Sequence, residues 1–109
     1  MSIYSTRFAE TTGVSSATAA LLYTVPSGNV VVVREIDVVA RSNTATILRV
    51  FQTGSGHPYV ISINIPANSQ NLGFQWSGRA VFPAGAAIYF DKTVATVVDL
   101  TMSGYLLTV

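Results

Sequence analysis

Tyr59-Val60-Ile61-Ser62-Ile63-Asn64-Ile65 places an apolar residue at every second position, with Ser62 and Asn64 in the gaps. Successive side chains leave a β-strand on opposite sides, so this alternation predicts a strand with one face buried and the other wet. Pro66-Ala67-Asn68-Ser69 closes it, and Gly54-Ser55-Gly56-His57-Pro58 before it reads as a loop by composition.

The same reading extends in both directions. Downstream, Leu72, Phe74 and Trp76 share a face of the next strand, and Ala80 to Phe82 forms a further short segment. Pro83-Ala84-Gly85 makes a tight turn into Ala86, Ile88 and Phe90, and Asp91-Lys92 turns the chain again. Val98, Leu100 and Met102 then alternate with Asp99, Thr101 and Ser103; after Gly104 the apolar phase passes to Tyr105, Leu107 and Val109. One extra residue swaps the two faces of a strand, so this change of phase predicts a bulge at Gly104.

Upstream, Leu21 to Val25 is a strand closed by Pro26-Ser27-Gly28-Asn29. Val30 to Ala40 is a long strand with Val32, Ile36, Val38 and Ala40 on one face and Glu35 and Asp37 on the other. Arg34 falls on the apolar face, which predicts either a bulge or a guanidinium reaching the rim. Ser42-Asn43-Thr44 leads into a strand over Thr46 to Gln52. No stretch holds a helical period with caps at both ends; Ser15 to Leu22 is long enough only for a turn or a single helical turn. About eight strands separated by Gly, Pro, Asn and Ser predict an all-β fold: an antiparallel, jelly-roll-like β-sandwich.

The chain has 109 residues, one domain's worth. The sandwich is expected over 19–109. Residues 1–18 differ in character, with Ile3, Tyr4 and Phe8 in an otherwise polar stretch. This segment is read as an N-terminal arm or an edge strand, joining its own sheet or a neighbouring subunit by strand addition.

Charged residues are only 10% of the chain against about 25% in a typical soluble domain, and Ser, Thr, Asn, Gln and Gly take their place. Surfaces of that kind cost little to desolvate. With a formal net charge of +1 the molecule also has little electrostatic protection against association. Assembly with other protein is the expectation. The sequence has no cysteine, which excludes disulfides and thiolate metal sites. No segment approaches the roughly 18 apolar residues of a membrane span. The N-terminus has no basic stretch followed by an apolar core, so synthesis in the cytoplasm and no membrane partner are expected.

Chemistry finds little support. Glu35 and Asp37 lie two apart on a strand and point the same way, a spacing compatible with paired hydrolytic carboxylates; a solvated strand face is the reading favoured, because such pairs are common in inert sheets and no other motif accompanies them. His57 is the one histidine, too few for a zinc site, and Gly54-Ser55-Gly56 lacks the frame of a nucleophile elbow. No catalytic, cofactor-binding or metal-binding residues are therefore expected. The basic residues Arg7, Arg34, Arg41, Arg49, Arg79 and Lys92 are scattered and nearly balanced by acids, which argues against nucleic acid as a partner. Among the aromatics Tyr89, out of phase with Ile88 and Phe90, is the best candidate for an exposed ring, whereas Trp76 and Tyr59 lie in phase with aliphatic residues. An exposed aromatic would serve a contact site or stack on a sugar.

Tyr23-Thr24-Val25-Pro26-Ser27-Gly28, the valine-rich strand with Ile36, Val38, Ala40 and then Asn43, Ile65-Pro66-Ala67-Asn68-Ser69, the Gly78-x-x-Val81-Phe82-Pro83-Ala84-Gly85 hairpin and the ending Ser103-Gly104-Tyr105 together resemble a family of small β-sandwich virion structural proteins of tailed bacteriophages. The resemblance spans residues 21–107 and rests on turn and strand chemistry. It implies a subunit of the virion, of the capsid-decorating, cementing or tail-component type. Its partners would be itself, as a homo-oligomer such as a trimer, and other virion proteins such as the major capsid protein. It supplies no catalytic residues and no cofactor. A receptor- or glycan-binding module of a tail is the rival expectation. Expected contact residues are Ile3, Tyr4, Phe8, the loop Gly54, Ser55, Gly56, His57 and Pro58, and Tyr89.

Overall fold

The computed structural model describes residues 3–14, 19–52 and 59–108. They form eight strands and no helix: β1 (Ile3–Val14), β2 (Ala20–Thr24), β3 (Asn29–Ala40), β4 (Thr46–Gln52), β5 (Tyr59–Ile65), β6 (Gly73–Phe82), β7 (Ala87–Lys92) and β8 (Val98–Thr108). Two four-stranded sheets pack face to face, ordered β1-β8-β3-β6 and β2-β7-β4-β5. Every pair is antiparallel. Only β4 and β5 are consecutive strands of one sheet; every other connection crosses between the layers, which gives the jelly-roll-like order. The strand Tyr59–Ile65 stands as its alternation predicts, with Ile61, Ile63 and Ile65 buried and Ser62 and Asn64 exposed.

The core lies between the layers. Val31, Val33, Ile36, Val38, Phe82, Val98, Leu100 and Met102 face Leu48, Val50, Ile61, Ile65, Ile88 and Phe90, all essentially inaccessible to water. Each side chain of this size contributes about 1.5–3 kcal/mol on burial, so this slab dominates the stability.

Two turns of the same construction close one end. In Pro26-Ser27-Gly28-Asn29 the Asn29 amide donates to the Pro26 carbonyl at 3.2 Å, and in Pro83-Ala84-Gly85-Ala86 the Ala86 amide donates to Pro83 at 3.1 Å. Gly28 and Gly85 have φ of +79° and +80°, the third-position conformation of a type II turn, which glycine alone adopts without cost. The turns are tied to each other, because Val25 donates to Ala86 at 2.8 Å and Gly85 donates to Val25 at 3.0 Å. The β5–β6 loop is held to the β3–β4 loop by Asn43, whose carbonyl accepts from Asn68 at 2.9 Å and whose side chain accepts from the Gln70 amide at 3.2 Å.

Several expectations need correction. Ala20, Leu21 and Leu22 belong to strand β2, not to a helical turn; their pairing with β7 outweighs a helical preference too short to nucleate. Ala80 to Phe82 is the end of β6 rather than a separate segment, and the strand passes Gly78 with the Trp76 indole close above it. Leu72 precedes β6 and is exposed. Asp91 and Lys92 do not turn the chain, since both pair within β7 against β4.

The phase change at Gly104 also has a different cause. β8 keeps Val98, Leu100, Met102 and Gly104 on its buried face without a break. The extra residues lie on its neighbours. Opposite β8, Val33 pairs with Gly104 and Glu35 with Ser103, leaving Arg34 over; on the other side Arg7 pairs with Ser103 and Ala9 with Met102, leaving Phe8 over. Arg34 is thus a bulge, the first of the two outcomes that its misfit in the β3 pattern predicts. The bulge inverts the strand, so that Val31 and Val33 point into the core before it and Ile36, Val38 and Ala40 after it. Val32 therefore sits on the outer face, not with Ile36.

Candidate interaction surface

The bulge at Arg34 divides the outer face of the sheet β1-β8-β3-β6 into two unlike halves. On the β2–β3 turn side, Val32 pairs with Tyr105 of β8 and with Val81 of β6. Together with Arg34, Arg79 and Leu107, Val32 and Tyr105 line an open depression of about 340 Å³. Val32 forms its floor at 6% exposure, while Tyr105 and Val81 stand at 41% and 51%. Apolar contact area of this sort, flanked by arginine and tyrosine, has the make-up of protein contact sites. Arg34 and Arg79 are exposed, and among the described residues neither forms an ion pair.

On the other side of the bulge the face is acidic. Glu35 and Asp37 point outward, and Gln75, in register with Asp37, donates from Nε2 to Glu35 Oε1 at 2.6 Å and to Asp37 Oδ1 at 3.1 Å. An amide bridging both carboxylates occupies the place where a hydrolytic pair would hold water or substrate. The arrangement is that of a hydrogen-bonded strand face. Asp99 farther along is paired with Arg41 at 3.5 Å.

The opposite sheet carries a second surface. Tyr89 pairs with Leu21 of β2 and Phe51 of β4, and the Phe51 and Tyr89 rings stack with centroids 6.1 Å apart and planes 24° from parallel. Tyr89 is half-buried, because the neighbouring ring covers one side. Beside it Arg49 and Asp91 form a two-pronged pair, Nε to Oδ1 at 2.7 Å and Nη2 to Oδ2 at 3.0 Å; here an arginine serves the fold itself.

Lys92 is an unexpected core-end residue. In phase with Ile88 and Phe90, it is buried, and Nζ donates to the Thr96 carbonyl at 2.5 Å. Desolvation holds its pKa below the ordinary lysine value. Around it, hydroxyls pin the β7–β8 loop. Thr46 Oγ1 donates to the Val94 carbonyl at 3.0 Å and accepts from the Val94 amide at 3.1 Å, Ile47 donates to Thr93 Oγ1 at 3.0 Å, and the Ser42 and Thr96 hydroxyls are in contact. Among the described residues no three His, Asp or Glu side chains gather as a metal site would require.

The expected contact residues that are described lie on both sheets. Ile3 and Tyr4 occupy β1 in register with Leu107 and Leu106, and Phe8 is the surplus residue of the β1 register shift; all three are in the sheet that carries the depression. Tyr89 is in the other sheet. Gly54, Ser55, Gly56, His57 and Pro58 lie outside the described residues. Sequence reasoning passed over Arg79, Val81 and Leu107. The signal for them was in the alternation, which puts Arg79 and Val81 on the face opposite Ala80 and Phe82.

No protein-family model and no curated protein matches the sequence. Solved structures do. A chain from the acid-stable capsid of Helicobacter pylori bacteriophage KHP30 superposes with a TM-score of 0.59 over 98% of this chain and 87% of that one, at 14% identity. A chain from Bacillus endospore appendages, a family of disulfide-linked pili, gives 0.56 over 98% and 88%, at 13% identity. At such identities the likeness is one of fold. This chain has no cysteine with which to form disulfide links.

Proposed function

We propose that this protein is a structural subunit of a bacteriophage virion, a decorating or cementing component of the capsid that works through its sheet faces and performs no catalysis. The carrying observation is the outer face of β1-β8-β3-β6, where an apolar depression edged by two arginines that have no carboxylate partner among the described residues lies open on a weakly charged slab. Broad, uncleft sheet faces suit adhesion between subunits, and an interface of about 800 Å² per partner repeated by symmetry gains strength from multivalency. The fold shared with a chain of a phage capsid and with a chain of a pilus supports the reading. Its partners would be further copies and the major capsid protein, and its place the virion. The test is to compare particles with and without the protein under heating; equal resistance of the two shells rejects cementing.

The stacked Phe51 and Tyr89 rings favour a second reading, in which the protein belongs to a tail and its other sheet receives a sugar ring. A glycan array with the isolated protein, together with its copy number per particle, separates the two.

A further inference from the structure

We infer that the outer face of β1-β8-β3-β6 is a self-complementary contact between two copies of this chain, related by a twofold axis that runs across the strands between Arg34 and Asp37. Such an axis reverses the strand direction of the partner. It lays the half bearing Arg34 and Arg79 over the half bearing Glu35 and Asp37, and does so twice.

The charges match this arrangement. Among the described residues each half presents two charges of one sign, and the Arg41–Asp99 pair on this face is internally matched. Arg34 lies next to Glu35 in the chain and about 10 Å from Asp37 along the strand, so a copy turned end for end brings each guanidinium over a carboxylate of its partner. Stacking the copies in the same direction would instead put arginine over arginine. Gln75 holds Glu35 and Asp37 together by their inner lone pairs; a carboxylate has several more acceptor sites, which arginine can engage. The apolar floor of Val32, Tyr105 and Leu107 would then cover Thr101 and Ser103, hydroxyl residues that cost less to desolvate than charged ones.

The size is also suitable. Four strands at about 4.8 Å spacing and ten residues at about 3.3 Å give a face of roughly 600 Å² before side-chain relief, close to the area per partner of a standard specific interface. Such an isologous contact closes on itself and leaves the aromatic sheet free for another partner.

This inference rests on the reading of the chain as an assembling subunit, and sedimentation of the full chain across a concentration series tests it. A dimer is expected whose dissociation constant rises about tenfold or more between low and high salt, because salt screens the paired charges. Reversing the basic half, Arg34→Glu with Arg79→Glu, or the acidic half, Glu35→Arg with Asp37→Arg, should each yield a monomer, since like charges then meet. Mixing the two variants in equal amounts should restore a dimer containing one of each. That rescue also shows that both variants fold. A monomeric wild type, or a dimer indifferent to salt and to both reversals, overturns the inference. Protection of particles against heat by that same monomer or indifferent dimer would leave the capsid role standing without this interface; no protection would remove both.

Discussion

Gly104 lies directly against the backbone of Val32: a Cβ on Gly104 would come within 2.0 Å of the Val32 carbonyl oxygen and 2.9 Å of the Arg34 amide nitrogen. The β3 bulge thus presses into the space left by a missing side chain on β8. Because the obstructing atoms are backbone of a central strand, no rotamer change relieves the clash. Gly104→Ala is expected to cost about 3 kcal/mol or more, read as a lower midpoint in urea unfolding. An unchanged midpoint would mean that the bulge is not seated there.

Gly28 and Gly85 provide the contrast. Nothing lies within 4 Å of a Cβ built on either, yet both have positive φ. Only the left-handed backbone resists a side chain, so Gly28→Ala or Gly85→Ala should each cost about 1 kcal/mol. Asn at either position should recover part of the loss, as Asn68 and Asn71 already adopt φ of 62° and 66° in this fold.

The Arg49–Asp91 pair joins two central strands, with side-chain exposures of 27% and 13%. Partial screening places its worth between that of a surface pair and a buried one. A double-mutant cycle with Arg49→Met and Asp91→Asn should return a coupling of about 1 kcal/mol. The coupling should survive moderate salt, because two aligned hydrogen bonds accompany the charge. A coupling near zero would make the pair ornamental to the fold.

Alternation alone located the strands wherever one face was buried and the other wet, as in Tyr59–Ile65 and Val98–Met102. It also flagged Arg34, since a charged residue at an apolar position leaves few options besides a bulge. What it could not assign was the strand bearing an irregularity. Tyr105 and Leu107 break phase in β8, but they do so because the outer face of the sheet is itself apolar there, and the displaced residues are Arg34 and Phe8 on the flanking strands. Periodicity reports which residues are apolar, not which face is covered. The same limit hid the depression, because Val32 looks like core in sequence and becomes a surface floor only after β3 inverts. Asp91-Lys92 read as a turn because charges rarely end a core strand; the Arg49 partner and the Thr96 carbonyl that accommodate them are 42 and 4 residues away.

Lys92 makes stability depend on pH in the same direction as a paired carboxylate does, rising with pH, although here the charged form is the one the fold disfavours. Its folded-state pKa is depressed by burial, while in the unfolded chain it returns to about 10.4. Between these two values the unfolded state binds more protons than the native state, so stability rises with pH across that window. Below the folded pKa the cost of holding a desolvated ammonium is fully present. Lys92→Met removes the titrating group and keeps the stem's packing along Leu48, its register partner. The difference in unfolding free energy between wild type and variant should therefore shift in favour of wild type as pH climbs toward 10, measured by urea denaturation at a series of pH values. A difference that stays flat would mean that the ammonium is as well solvated in the fold as in the open chain, through the Thr96 carbonyl and its other contacts.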